Sequence, residues 1–71
     1  MDTRHKKMAD ALLRLILDGE TYIVDEFTIY RDNDGIRIHR CNVYFNAPYD
    51  VVLNFIIWAL DNNKMVKRYN E

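Results

Sequence analysis

The chain has 71 residues, a hydrophobic fraction of 49% and a net charge of −1, which suits one small globular domain and excludes a disordered composition. Its 10 basic and 11 acidic residues argue against a dedicated duplex-binding protein and against a mimic of a polyanion. One cysteine excludes an internal disulfide, the charged start lacks a signal-peptide core, and no apolar run is long enough to span a bilayer. We therefore expect a cytoplasmic protein with no membrane segment.

The first predicted element is an amphipathic helix from Thr3 to Leu17. Charged residues gather on one side of it, and Gly19 is placed to end it in the left-handed conformation. The apolar positions that recur at helical spacing are Met8, Ala11, Leu12, Leu15 and Ile16. We expect this helix to cover one face of a sheet.

A long β-hairpin is predicted from Thr21 to Phe45, because β-branched and aromatic residues crowd both sides of Asp34-Gly35. A type I turn followed by a left-handed Gly35 gives a three-residue loop that pairs Asp32 with Ile36. A four-residue loop that pairs Arg31 with Ile36 would shift the register by one residue and mix the two faces. The first register is preferred because it gives the cleaner apolar face.

In the preferred register the hairpin has one face covered by helices and one open face. The covered face carries Ile23, Phe27, Ile29, Cys41, Val43 and Phe45, with Asp25 and His39 as its polar members. The open face carries Tyr22, Val24, Tyr30, Ile36, Ile38 and Tyr44, ringed by Glu26, Thr28, Arg40 and Asn42. An open face so rich in tyrosine is typical of an association site.

A second helix is predicted from Tyr49 to Leu60, with Asn46 or Ala47 as its cap and Pro48 in its first turn. Its apolar residues occupy well over half of the circumference, whereas a surface helix has a narrower apolar stripe. Either this helix lies between the sheet and the first helix, or part of it contacts another chain. Residues 63–71 are predicted to form a weakly ordered tail that adds a short strand at the hairpin edge or a helical turn.

Few residues support catalysis or metal binding. His39 and Cys41 lie two apart on one predicted strand and His5 is the only other histidine, which leaves too few ligands for a zinc site. The turn at 32–35 has the composition of a calcium loop, but its glycine is out of register with the required glutamate. No phosphate-binding loop, dinucleotide fingerprint or nucleophile elbow occurs in the sequence. We expect no enzymatic activity, no cofactor and no metal.

The predicted fold class is α+β: residues 1–71 form one small α-β-β-α domain, an antiparallel hairpin packed on two helices, with a short third strand available from the tail. The predicted function is non-enzymatic protein binding by a regulator or inhibitor. Its predicted partner is a second copy of the chain, which gives a homodimer, or a host protein, or both. A chain so short and so poor in catalytic residues is typical of phage and mobile-element regulators. The predicted binding residues are Tyr22, Tyr30, Ile38, Arg40 and Tyr44 on the open face, and Ile57 and Trp58 on the second helix.

A small RNA-binding or single-stranded nucleic-acid-binding domain is the alternative interpretation. Exposed tyrosines beside Arg40 can stack on bases, and basic clusters occur at 4–7 and 64–68. Against it, the sequence contains no RNP-type or GxxG motif.

Overall fold

The computed structural model describes residues 3–69, which form two helices and a five-stranded antiparallel sheet, and this confirms the α+β class. The strand order in the sheet is β4-β3-β2-β1-β5, and every neighbouring pair is antiparallel. The elements in chain order are α1 Thr3–Leu17, β1 Tyr22–Val24, β2 Phe27–Asp32, β3 Gly35–Arg40, β4 Val43–Ala47, α2 Tyr49–Asp61 and β5 Val66–Arg68.

Helix α1 has the predicted bounds, and its end follows from Gly19. Gly19 takes a φ of +109°, which an L side chain rarely adopts. The amide of Gly19 donates to the carbonyl of Ile16, and the amide of Glu20 donates to the carbonyl of Leu15, both at 3.0 Å. These two hydrogen bonds form a Schellman motif, which satisfies carbonyls that the helix leaves unpaired.

The predicted single hairpin is wrong in one respect, because a two-residue turn breaks each of its arms. Asp25-Glu26 separates β1 from β2, and Cys41-Asn42 separates β3 from β4. The first residue of each turn has a positive φ, 57° at Asp25 and 54° at Cys41. The sheet is therefore a four-strand meander, and Cys41 is exposed in a turn instead of lying on the covered face.

The predicted register of the central hairpin is also wrong by one residue. Arg31 pairs with Ile36 and Asp32 pairs with Gly35, so the loop contains only Asn33 and Asp34. Gly35 does take the positive φ expected of it, +131°, but within the paired strand. The observed register buries Ile29 against Ile38, both on the helix side of the sheet.

These two differences exchange many side chains between the faces of the sheet. A two-residue turn leaves its flanking residues on the same face, as with the paired Val24 and Phe27. In one continuous strand, residues three apart would point to opposite faces. Tyr22 and Val24 therefore point toward the helices, while Ile23 lies on the open face.

Both helices pack on one face of the sheet and enclose one hydrophobic core. His5 Nδ1 lies 2.5 Å from Asp61 Oδ1 and joins the start of α1 to the end of α2. The buried core residues are Ala9, Ile16, Tyr22, Val24, Ile29, Ile36, Ile38, Ala47, Val52, Ile56, Ile57 and Ala59.

Helix α2 begins at Tyr49 as predicted, but its N-cap residue lies one or two residues later than predicted. Pro48 is the N-cap residue, with a φ of −63° and a ψ of 158°, so neither Asn46 nor Ala47 has that role. At the other end Asn63 takes a φ of 56°, and asparagine is one of the residues that adopt this left-handed conformation after a helix. The amide of Lys64 then donates to the carbonyl of Ala59 at 2.8 Å, which folds the chain back beside the helix.

The predicted short strand from the tail is present as β5, which pairs with β1 at the sheet edge. The amide of Asp25 donates to the carbonyl of Met65 at 2.7 Å, and the amide of Tyr69 donates to the carbonyl of Thr21 at 2.9 Å. The remainder of the predicted tail, residues 70–71, lies outside the described residues.

Candidate protein-binding surface

Three of the predicted binding residues are core residues. Tyr22, Ile38 and Ile57 are each 8% exposed or less and point into the space between the sheet and the helices. The predicted open face is therefore wrong, because the observed turns and register place its aliphatic residues Val24, Ile36 and Ile38 in the core. These three side chains stabilise the fold and are not available to a partner.

Tyr22 illustrates how the structure uses a buried tyrosine. Its hydroxyl donates to Glu20 Oε2 at 3.0 Å, and Arg68 lies 3.3 Å from the other carboxylate oxygen of Glu20. Burial of the ring raises the pKa of the Tyr22 phenol, and the hydrogen bond and negative charge of Glu20 raise it further. The hydroxyl is therefore a structural donor.

The true open face of the sheet is a mixed polar surface that includes Tyr30 and Tyr44. They lie on β2 and β4, with β3 between them. The His39 and Tyr44 rings stack with centroids 4.2 Å apart and planes 1° apart, and His39 Nε2 contacts the carbonyl oxygen of Cys41. Arg37 Nη2 lies 2.6 Å from Asp32 Oδ2. Such pairing of polar side chains is typical of a solvated sheet face.

A larger apolar surface lies on the helix side, where strand β4 forms the edge of the sheet. Val43 and Phe45 point to the helix side, because they pair with Arg40 and Ile38. Because β4 is an edge strand, these two side chains lie at the margin of the core and are exposed. Helix α2 adds Val51, Phe55 and Trp58, which are spaced i, i+4, i+7 and so form one stripe. We call this set, together with Phe27, the β4–α2 surface.

The aromatic rings of the β4–α2 surface are in contact with one another. Phe27 meets Phe55 edge to face, with centroids 5.3 Å apart and planes at 86°. Phe55 stacks on Trp58 at 6.0 Å. A groove of about 230 Å³ runs between strand and helix and is lined only by apolar residues: Phe27, Ile38, Phe45, Val51 and Phe55. Val43, Phe45, Val51 and Trp58 are between 45% and 63% exposed.

Two cations lie at the rim of this surface. The guanidinium of Arg40 sits 5.7 Å from the Phe27 ring centroid and 2.7 Å from a carboxylate oxygen of Glu26. The ammonium of Lys64 sits 5.7 Å from the Trp58 ring centroid. Arg40 thus belongs to the helix side and not to the open face where the sequence placed it.

Trp58 is exposed as predicted, and its role in binding stays a prediction.

The two edges of the sheet differ in chemistry. Strand β5 has only three residues, two of which are Lys67 and Arg68, and short charged edges resist pairing with other strands. Strand β4 has five residues, Val-Tyr-Phe-Asn-Ala, with no charge and no proline. Its outer edge therefore lacks the features by which proteins prevent an exposed strand from pairing.

The sequence analysis did not single out Val43, Phe45, Val51 and Phe55 as candidate residues of an exposed surface. The spacing of Val51, Phe55 and Trp58 was a usable signal, because three apolar residues on one helical stripe act together. The exposure of Val43 and Phe45 had no signal in the sequence, since it depends on β4 being an edge strand.

Residues 3–69 also lack the features of two other kinds of site. Within this range no three His, Cys, Asp or Glu side chains come together as a metal site would require. None of the helices in the same range combines the length and the apolar character needed to cross a membrane. The chain matches no protein-family model, no curated protein and no solved structure.

Proposed function

We propose that this chain is a non-enzymatic protein-binding module, a regulator or inhibitor that acts by occupying the surface of a partner through the β4–α2 surface. The observation that supports this most directly is an uncharged edge strand beside a continuous exposed apolar stripe. Contiguous apolar patches on small domains mark interaction sites more often than single exposed residues do.

The binding mode that fits this surface is addition of a strand. A partner strand pairs with the free edge of β4, and the main-chain hydrogen bonds supply affinity without depending on sequence. On the helix side, alternate side chains of that strand meet Val43, Phe45 and the apolar groove. Specificity then comes from how well those side chains fill the groove between Phe45 and Phe55.

Trp58 and Phe45 are the expected energetic centres of the interface. Each is about half exposed, and burying the remainder of such a side chain is worth about 1 kcal/mol. Tryptophan is enriched among the residues whose truncation costs most at interfaces. The ring cluster with Phe27 and Phe55 holds Trp58 in place, which lowers the entropy lost on binding.

The proposal is tested with two lysine substitutions on exposed apolar residues at opposite edges of the sheet. Val43→Lys places a charge on the β4–α2 surface, and Met65→Lys is the matched control beside β5, since Met65 is 58% exposed. Proteins captured on the wild-type chain from an extract of its source organism are compared with those captured on each variant. We expect Met65→Lys to retain the captured proteins and Val43→Lys to lose them. Equal capture by both variants contradicts the proposal.

The second candidate function, binding of single-stranded nucleic acid, is supported by one observation on the open face. Tyr44 is exposed and stacked on His39, and Arg37 and Lys67 lie on the same face. Base stacking on such rings is worth about 1 to 3 kcal/mol per base. The pairing of Arg37 with Asp32 neutralises one of the two cations, so protein binding is the better supported function. A titration with single-stranded RNA at low salt, repeated with Tyr44→Ala, separates the two functions.

A further inference from the structure

We infer that the occupant of the β4–α2 surface is a second copy of this chain, joined by antiparallel pairing of β4 with β4 and of α2 with α2 about one two-fold axis. This inference rests on the proposed function, because it names the partner of the same surface. The result is a continuous ten-stranded sheet with all four helices on one side.

The two elements at this surface are both self-complementary. An antiparallel strand pair has two-fold symmetry, so an unblocked edge strand can pair with its own copy through the same main-chain atoms. A helical stripe at i, i+4, i+7 can likewise meet its own copy in antiparallel orientation, with Phe55 near the axis and Trp58 opposite the second copy's Val51. Phe45 and Phe55 line the same groove, so one axis can pass close to both.

The charges around the stripe favour this orientation. Asp50 stands at the start of α2, and Lys64 follows its end. The ammonium of Lys64 lies 5.7 Å from the Trp58 ring, so its charge sits at the level of Trp58 along the helix. Antiparallel pairing places that level beside the second copy's Asp50. Each dimer would therefore contain two symmetry-related pairs of opposite charge, and parallel pairing would instead bring like charges together.

The area available also fits a dimer of ordinary size. Four side chains that are each about half exposed, at about 200 Å² per large side chain, present about 400 Å² of apolar surface. A standard interface buries about 800 Å² per partner, of which somewhat more than half is apolar. The β4–α2 surface thus supplies most of the apolar part of one side, and the main chain of β4 and the charged rim supply polar area.

The first test measures mass in solution under reducing conditions, so that a disulfide through the exposed Cys41 cannot imitate the dimer. A protein concentration of about 100 μM exceeds the dissociation constants of standard-size interfaces, which are about micromolar or lower. At this concentration sedimentation equilibrium should give twice the 8.6 kDa of the chain. Trp58→Glu and Val43→Lys should both give the monomer mass, with circular dichroism confirming that each is folded. Met65→Lys should remain dimeric.

The second test exchanges the charges. Asp50→Lys and Lys64→Asp should each weaken self-association about tenfold, because each replaces two attractions by two repulsions. An equimolar mixture of the two variants should recover dimerisation, since every contact in the mixed dimer again joins opposite charges. The double variant should recover it as well, although it still lacks the stabilisation that the carboxylate of Asp50 gives to the start of α2.

Three results overturn the inference. The first is a wild-type chain that is monomeric at about 100 μM, a concentration at which standard interfaces are occupied. The second is a dimer that survives both Trp58→Glu and Val43→Lys. The third is a charge-exchange mixture that associates no better than either variant alone. A monomer whose capture of other proteins is still lost in Val43→Lys overturns the second copy as occupant and leaves the proposed function standing.

Discussion

Replacing Ile38 by valine should destabilise the protein far more than the same replacement at Ile23. Ile38 is 3% exposed in the core, and Ile23 is half-buried on the open face. Loss of one methyl group from a core isoleucine costs about 0.5 to 1.5 kcal/mol, and a surface change costs less than about 0.5 kcal/mol. Valine is the right replacement, because alanine at Ile38 would remove about 2 to 5 kcal/mol from a domain whose total stability is about 4 to 10 kcal/mol.

The assay is thermal unfolding followed by circular dichroism at one fixed protein concentration, since self-association makes the midpoint depend on concentration. A loss of about 1 kcal/mol in a domain of this size lowers Tm by about 4 to 8 °C. We expect that shift for Ile38→Val and a shift near zero for Ile23→Val. The predicted single hairpin, with unbroken arms and a three-residue loop, exchanges the two positions. A larger effect at Ile23 would therefore refute the face assignment, which depends on the turn at Asp25-Glu26 and on the pairing of Arg31 with Ile36.

Three further predictions concern the helix end, the buried tyrosine and the last strand. Gly19→Ala should lower the free energy of unfolding by about 1 kcal/mol or more, because alanine is strained at a φ of +109°. Urea denaturation that shows no loss of stability would contradict this prediction. Because the pKa of Tyr22 is raised in the folded state, its contribution to stability is complete below about pH 10 and is lost as the pH rises further. The urea midpoint of Tyr22→Phe should therefore fall less steeply at alkaline pH than that of the wild type. Parallel curves for the two proteins would contradict this prediction. Deleting residues 66–71 should cost about 2 kcal/mol or more, since β1 loses one of its two strand partners and half-buried Val66 is removed. An unchanged urea midpoint would show that β5 contributes nothing.

The helices were predictable from the sequence because their signals are local. The bounds of α1 follow from apolar residues at a period of 3.6 and from the one glycine after it, and both signals are read within a few positions. The positive φ of Asn63 after α2 also follows from a local signal, the asparagine itself. The cap of α2 was misplaced by one or two residues, which is the usual uncertainty at helix ends.

The faces of the sheet were not predictable in the same way, because a strand has a period of two and one missed turn reverses every later side chain. Neither Asp25-Glu26 nor Cys41-Asn42 contains the glycine that marks a tight hairpin turn. The arms of the predicted hairpin were about ten residues long, whereas strands of five to six residues are the commonest, and this length was the available warning. Tyr22 and Ile38 changed sides for this reason.

The excess of apolar side chains over what the core holds is a property of composition, and so it survived the error in register. Composition does not show which part of the surface carries these additional apolar side chains. Strand β4 is an edge because the chain turns at Pro48 into α2 instead of adding a further strand beside it. Val43 and Phe45 alternate along β4 as residues on a buried strand face do, yet both are exposed. Trp58 lies on a helix stripe that no other element of residues 3–69 buries. The strand half of the surface thus follows from tertiary arrangement and the helix half from local spacing, which explains why the sequence identified Trp58 and missed Val43 and Phe45.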